Sequence, residues 1–128
     1  MFRILIADDV PMVRTGIKLL LETHKGWTVC GEATDGEDAV KKSLALNPDV
    51  ILLDVSMPHL SGLQAAELIK RDLPDANIYF VTQHHSLEMA RAAADAGACG
   101  YIAKVHIPTD LVPAIEAVAK TEPVAARP

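Results

Sequence analysis

Two short apolar runs lead into carboxylates, and this pattern restricts the fold more than any other feature of the chain. The first run spans residues 3–7 and leads into Asp8 and Asp9, and the second spans residues 49–53 and leads into Asp54. Short, nearly continuous apolar runs are typical of central parallel strands that are buried on both faces. Because the chemistry of open α/β sheets lies just beyond the carboxyl ends of the strands, we expect all three carboxylates in one crevice.

A crevice that holds three carboxylates needs a proton or a cation, because like charges at short range repel one another. Carboxylate oxygens are ligands for hard cations such as Mg²⁺. An isolated Asp8–Asp9 pair would more simply cap the helix that follows it. The metal-site interpretation therefore depends on Asp54 joining the pair.

Length and charge favour a small domain that does not contact nucleic acid directly. The chain has 128 residues, half of them hydrophobic, which is enough for one core. We expect a single domain over residues 1–120 and a Pro/Ala-rich linker or tail over residues 121–128. The net charge of −5 argues against phosphate binding through Lys and Arg. No apolar stretch approaches the roughly 20 residues of a membrane span, and Asp8 comes too early for a signal peptide, so we expect a cytoplasmic protein without membrane contact.

Neither the cysteines nor the histidines have the spacing of a second metal site. Cys30 and Cys99 are the two cysteines of the chain, and in a cytoplasmic protein we expect buried, reduced thiols and not a disulfide. His84 and His85 are adjacent, and neighbouring side chains point apart on a helix or a strand. We therefore do not expect these histidines to share a transition metal.

Helical patterns alternate with the apolar runs along the whole chain. The predicted strands are residues 3–7, 27–31, 49–53, 78–81 and 99–103. The predicted helices are residues 11–25, 34–46, 61–72, 86–97 and 111–120. The (βα)₅ order predicts an α/β fold, a three-layer α/β/α sandwich around a parallel sheet.

Capping signals and prolines set the predicted helix limits. Pro11 suits the first position of the first helix. Capping boxes at residues 34–37 and 61–64 begin the second and third helices. Pro113 lies near the predicted start of the last helix, where it removes a hydrogen bond and bends the helix.

Five polar residues follow the predicted strands in order: Asp8, Asp9, Asp54, Thr82 and Lys104. With these residues in register, the chain resembles the receiver domain of two-component response regulators over about residues 3–120. Residues 7–17 and 96–101 are most similar to the NarL/LuxR subfamily. The resemblance implies a flavodoxin-like sheet with strand order 2-1-3-4-5.

The resemblance also assigns roles to these residues. Asp54 is the candidate nucleophile and phosphorylation site, and its donor is the phosphohistidine of a sensor histidine kinase. Asp8, Asp9 and Asp54, with the backbone carbonyl of Ser56, are the candidate Mg²⁺ ligands, and the cation screens the incoming phosphoryl charge. Thr82 and Lys104 are the remaining candidate catalytic residues, as hydroxyl donor and point-charge phosphate binder.

A two-state switch follows from the same resemblance. Phosphorylation draws Thr82 toward the phosphoryl oxygens, and Tyr101 rotates inward as the switch residue. The alternative for Tyr101 is that it is a half-buried strand tyrosine without a switch role.

The surface that responds is formed by the fourth helix, fifth strand and fifth helix, and the same surface is a candidate homodimer interface. Members of this subfamily usually precede a DNA-binding domain that is absent from this chain, so the chain is either part of a longer regulator or a stand-alone receiver.

The sequence departs from the family pattern at three places, one of which affects access to the site. Gln83 and His84 follow Thr82, where the family usually has a small residue, and their bulk is expected to narrow access to Asp54. Val105 follows Lys104, where many receivers have proline, and Pro113 is the third departure.

Two other functions share part of this residue set. An aspartyl-phosphate hydrolase would carry a second Asp two residues after its nucleophile, but Ser56 stands there and Val10 follows Asp8. A degenerate receiver that acts only by protein interaction is not favoured, because the acidic set is complete.

Overall fold

Five strands and five helices alternate along the chain in the predicted order. The computed structural model describes residues 1–83 and 85–121, so most of the predicted tail lies outside the described residues. The strands are β1 (Phe2–Ala7), β2 (Trp27–Ala33), β3 (Val50–Asp54), β4 (Ile78–Thr82) and β5 (Gly100–Ala103). The helices are α1 (Pro11–Glu22), α2 (Gly36–Leu46), α3 (Gly62–Asp72), α4 (Leu87–Asp95) and α5 (Ile107–Thr121), and a 3₁₀ turn at Lys104–His106 precedes α5. No helix within the described ranges is both long and apolar enough to cross a membrane.

The sheet order places the ends of β1 and β3 side by side. All neighbouring strands are parallel, and their order is β2-β1-β3-β4-β5, which confirms the predicted flavodoxin-like topology. The strand order reverses between β1 and β3, the kind of position at which open α/β sheets form a crevice. Ala7 pairs with Leu53, so the carboxylates that follow them begin at the same level.

Each face of the sheet is covered by its own apolar cluster. Leu5 and Leu53 pack on one face with residues of α2, α3 and α4, while Ile4 and Leu52 pack on the other with residues of α1 and α5. All five residues of β3 are buried. This explains why β3 reads as a continuous apolar run: a central parallel strand has no solvent face.

The helix starts agree with the capping signals, with one shift. The Ser61–Gln64 capping box opens α3, with both of its reciprocal hydrogen bonds present. In α2 the N-cap is Asp35 and not Thr34, because the Asp35 carboxylate accepts from the N–H of Asp38. A carboxylate caps a helix at least as well as a hydroxyl, so an Asp directly after Thr34 competes with it for this position.

The last helix begins four residues earlier than predicted, at Ile107. The 3₁₀ turn runs directly into α5, and Pro108 is tolerated in the first turn because its missing N–H needs no helical partner there. Pro113 consequently lies inside α5 and not near its start. There it is exposed and denies the carbonyl of Thr109 its usual helical donor.

The cysteines are free, but the expectation that both are buried is wrong. Cys30 is half-buried on β2, whereas Cys99 is exposed. Cys99 directly precedes β5, and its backbone N–H extends the sheet hydrogen bonding to Ile78. Its side chain therefore lies at the rim of the sheet, outside the apolar layer.

Gly62 allows α3 to pack directly on the end of β3. Its N–H donates to the carbonyl of Val55 at 2.8 Å. A Cβ at this position would collide with the carbonyl oxygen of Asp54 and lie 2.8 Å from the Cα of Val55. A side chain of any size at Gly62 therefore displaces the backbone that carries Asp54.

We expect Gly62→Ala to destabilise the fold by about 1–3 kcal/mol, because rigid backbone must move to admit the methyl group. Gly16→Ala is the matched control: Gly16 lies within α1, and its Cβ would meet nothing within 4 Å. That control should stabilise the protein by roughly 0.5–1 kcal/mol through helix propensity. Urea unfolding of the three proteins measures both effects, and equal stabilities for the two variants would contradict the packing argument.

Candidate functional site

The structure brings Asp8, Asp9 and Asp54 together at the carboxyl ends of β1 and β3. One carboxylate oxygen of each residue lies within 4.8 Å of the others. Asp8 and Asp54 are almost completely buried, at 1% and 3% exposure, whereas Asp9 is exposed. The cluster therefore has a buried base and an open side.

Asp8 is held by its backbone and by one carboxylate oxygen. Its N–H donates to the carbonyl of Ala33 at 3.0 Å, and its Oδ1 accepts from the N–H of Val10 at 2.9 Å. Its Oδ2 is buried and accepts no hydrogen bond from the described residues. The ammonium of Lys104 lies 3.1 Å from this Oδ2 and forms an ion pair with it.

Lys104 lies between the two buried carboxylates. Thr82 pairs with Ala103 across β4 and β5, so Lys104 follows from the same edge of the sheet. Its Nζ lies 3.4 Å from Asp54 Oδ2, while Asp54 Oδ1 accepts from the N–H of Ser56 at 3.3 Å. Both of these hydrogen bonds are long, so the buried Asp54 carboxylate is only weakly stabilised by them.

Burial and charge shift the pKa values of this pair in the metal-free protein. Burial and the Asp8 carboxylate raise the pKa of Asp54 to about 6, although Lys104 and the Ser56 N–H act in the opposite direction. Burial lowers the pKa of Lys104, but the nearby carboxylates of Asp54 and Asp8 raise it by more. The pKa of Lys104 is therefore raised above its ordinary value. The lysine is therefore charged at neutral pH, and the ionised form of Asp54 is destabilised.

The donor set suits a hard divalent cation. Three ionised carboxylates and one ammonium leave an excess of two negative charges in a crevice whose base is buried. The buried Asp8 Oδ2 has the Lys104 ammonium as a charged neighbour, and a carboxylate oxygen of this kind can also bind a hard cation. Ser56 lies two residues after Asp54, and its N–H donates to Asp54 Oδ1 at 3.3 Å, so it belongs to the loop that borders the cluster.

Thr82 and Gln83 lie in different environments. Thr82 is buried at the end of β4, at 2% exposure, and its neighbour Val81 pairs with Asp54. Gln83 is exposed and lines an open groove of about 480 Å³ along the start of α4, together with His85 and Met89. His84 lies outside the described residues, so the access role predicted for it stays a prediction.

Tyr101 is half-buried on β5, and its hydroxyl reaches the loop between β4 and α4. The hydroxyl lies 2.9 Å from Nδ1 of His85, and the two rings are tilted against each other with centroids 5.7 Å apart. The ring of His106 lies beyond, with its centroid 6.4 Å from that of His85. Tyr101 is thus linked to the segment that follows Thr82.

Sequence reasoning missed three contributors to this region. Gly62 packs against the peptide of Asp54, Arg14 donates to the carbonyl of Asp8, and His85 bonds Tyr101. The sequence offers a local signal for Gly62: it is a glycine at the first helical position after the N-cap Ser61, where no turn requires a glycine. The other two contacts have no signal in the sequence.

Asp54→Asn should stabilise the metal-free protein at neutral pH but not in acid. Because the pKa of Asp54 is raised from 3.8 to about 6 on folding, the folded protein holds this proton more tightly than the unfolded chain. That contribution is complete below pH 3.8 and is lost as the pH rises through about 6. The variant should exceed the wild type by about 2 kcal/mol at pH 7.5 and by little at pH 4.

Urea unfolding at both pH values, in the presence of a chelator, measures this difference. Asp75→Asn removes an exposed carboxylate and is the matched control, with similar small effects at both pH values. A gain for Asp54→Asn that is as large at pH 4 as at pH 7.5 would contradict the charge argument.

Comparison with known proteins agrees with this geometry. The sequence profile of the response regulator receiver domain matches residues 4–116. The response regulator UvrY of Escherichia coli (strain K12) is 42% identical over 118 residues, which cover 92% of this chain and 54% of UvrY. A LuxR-family two-component response regulator from Aurantimonas sp. SI85-9A1 has a TM-score of 0.88 at 36% identity, with 92% of this chain and 85% of that chain covered.

A further structure links this fold to a DNA-bound regulator. RcsB from Salmonella enterica serovar Typhimurium, bound to promoter rprA in the presence of phosphomimetic BeF3-, has a TM-score of 0.84 at 31% identity and covers 93% of this chain and 60% of that chain. The chain spans about half the length of the curated relatives it matches. On sequence and fold together, the chain belongs to the response regulator receiver domains of two-component systems, and it is similar to their NarL/LuxR-like members.

Proposed function

We propose that Asp54 accepts a phosphoryl group from the phosphohistidine of a sensor kinase, in a reaction that depends on Mg²⁺. The observation that carries this proposal is the buried Asp54 carboxylate, which shares a crevice with Asp8 and Asp9 and lies 3.4 Å from an ammonium. In the transfer a carboxylate oxygen of Asp54 bonds to phosphorus, the P–N bond breaks, and the imidazole of the kinase leaves.

Asp8, Asp9 and Asp54, with the Ser56 carbonyl, are the proposed Mg²⁺ ligands. The bound cation would neutralise charge on the phosphoryl oxygens and on the carboxylates. Few protein ligands suffice, because Mg²⁺ keeps several waters, and the exposure of Asp9 leaves room for them.

Lys104 and Thr82 act on the phosphoryl group itself. With Mg²⁺ and Lys104 the three carboxylates are neutralised, and the acyl phosphate then adds about one uncompensated negative charge. The Lys104 ammonium is a point charge that contacts both buried carboxylates. After phosphorylation it would form an ion pair with the phosphoryl oxygens. The Thr82 hydroxyl, at the end of the neighbouring strand, is the proposed donor for the remaining charge.

The proposed readout is the surface formed by α4, β5 and α5. A displacement of Thr82 moves the loop that follows it, and His85 in that loop bonds the Tyr101 hydroxyl at 2.9 Å. Movement of this loop would release Tyr101 to rotate inward. Phosphorylation changes the surface only through contacts that differ between the two states.

The whole protein is proposed to be a transcriptional regulator. The chain spans about half the length of its relatives, and RcsB, one of the similar proteins, is seen bound to a promoter. We propose that a DNA-binding domain is attached to this receiver and that the protein dimerises through the α4-β5-α5 surface. Its proposed location is the cytoplasm. A stand-alone receiver is the alternative.

Asp54→Asn should abolish the hydroxylamine-sensitive label that the protein acquires from acetyl phosphate and Mg²⁺. An acyl phosphate reacts with hydroxylamine, whereas serine and threonine phosphate esters resist it, so the label reports the site. Asp9→Ala should reduce labelling at least about tenfold by removing a metal ligand. Asp75→Asn should label like the wild type, and persistent hydroxylamine-sensitive label in Asp54→Asn would move the site elsewhere.

Gln83→Ala should change the exchange rates if the side chain covers the entrance to Asp54. Labelling by acetyl phosphate should then accelerate, and the phosphoryl lifetime should shorten, each by about 3- to 30-fold. If the amide instead donates to the phosphoryl group, both rates should fall. Measuring labelling and decay in one preparation separates the two, and unchanged rates would show that Gln83 stays in the α4 groove.

A further inference from the structure

Arg14 connects the acidic pair to the edge strand of the sheet. It lies on α1, and its Nη1 donates to the carbonyl of Asp8 at 2.8 Å. Its Nε donates to the Glu32 carboxylate on β2 at 3.1 Å. The side chain is only 15% exposed, so the guanidinium is held in place and is not a mobile surface charge.

Glu32, the partner of Arg14, is fixed through its backbone. It lies within β2, and the ammonium of Lys42 donates to its carbonyl at 2.5 Å. Lys18 approaches the other oxygen of the Glu32 carboxylate only to 4.0 Å and is 43% exposed, so it adds little to this anchor. Arg14 therefore holds the loop that follows β1 in a fixed position relative to β2.

Both sides of the Asp8 backbone are anchored as a result. The N–H of Asp8 donates to Ala33 on β2, and its carbonyl accepts from Arg14. The carbonyl belongs to the peptide that joins Asp8 to Asp9, so its orientation determines where the Asp9 carboxylate leaves the backbone. No hydrogen bond within the described residues holds the Asp9 side chain itself.

We propose that Arg14 is a positioning residue for a divalent cation: it holds the Asp8–Asp9 peptide so that both carboxylates are prearranged around the site. This inference rests on the proposed function, because it assumes that these carboxylates bind Mg²⁺. An arginine suits the task, since its rigid planar fork meets two acceptors on different elements at once. A lysine ammonium is a single point and cannot hold both in a fixed relation.

Simple electrostatics makes the opposite prediction. A guanidinium next to an acidic cluster repels an incoming cation, so its removal should tighten Mg²⁺ binding. Positioning predicts weaker binding, because the flexible peptide must be ordered when the cation binds. The sign of the change in affinity therefore separates the two effects.

Calorimetric titration with Mg²⁺ alone, without a phosphodonor, gives this sign. Arg14→Met keeps the apolar stem and should weaken binding about tenfold, as loss of a supporting contact commonly does. Arg14→Lys keeps the charge and should still weaken binding, by a smaller factor. Lys18→Met is the matched control: it removes a cation from the same helix that approaches Glu32 but not Asp8, and its affinity should equal or slightly exceed that of the wild type.

Labelling by acetyl phosphate as a function of Mg²⁺ concentration adds a second measurement. For Arg14→Met the half-saturating Mg²⁺ concentration should rise by the same factor, while the rate at saturating Mg²⁺ stays within about twofold of wild type. General damage to the site would lower the saturated rate as well and would overturn the inference.

The outcomes also separate this inference from the proposed function. If the wild type binds Mg²⁺ and Arg14→Met binds it equally or more tightly, the positioning role is wrong and the metal site stands. If the wild type binds no Mg²⁺, the proposed metal site fails, and the role of Arg14 fails with it. If Arg14→Met does not fold, Arg14→Lys decides, and an unchanged affinity in that variant overturns the proposal.

Discussion

Repulsion between buried carboxylates is the constraint around which this structure is organised. Two of the three acidic side chains are almost fully buried, and they share one ammonium that cannot neutralise the cluster alone. The raised pKa of Asp54 is the direct consequence, since burial and a like charge both disfavour its ionised form. The fold thus maintains a site whose electrostatic energy falls when a proton or a cation neutralises part of this charge.

Such a site persists because the backbone beneath it cannot relax. Every residue of β3 is buried, and the chain leaves this strand directly against Gly62, where α3 touches the peptide of Asp54. On the other side, Ala33 and Arg14 hold the backbone of Asp8. The free energy gained by burying apolar side chains on both faces of the sheet offsets the cost of holding these carboxylates together.

The opposite side of the crevice is built differently. After Thr82 the chain becomes exposed at Gln83 and stays exposed to Leu87 among the described residues. Among the described residues, the contact between His85 and the Tyr101 hydroxyl joins this loop to β5. A rigid acidic side and a lightly held loop side are what a phosphorylation switch requires, since the first must bind the group and the second must respond to it.

Much of this organisation is a property of the sequence itself, and the rest depended on the tertiary structure. Strand positions and the alternation of strands with helices follow from local apolar periodicity and the right-handed βαβ rule, which act over a few residues at a time. The strand order and the roles of the five strand-end residues were implied by the resemblance to receiver domains. The start of α5 and the exposure of Cys99 did not follow, because both depend on where the chain meets the sheet edge. The contacts of Arg14, Gly62 and His85 join residues on separate elements, and no local pattern encodes them. Strand register and helix rotation determine such contacts, and these are properties of the packed core as a whole.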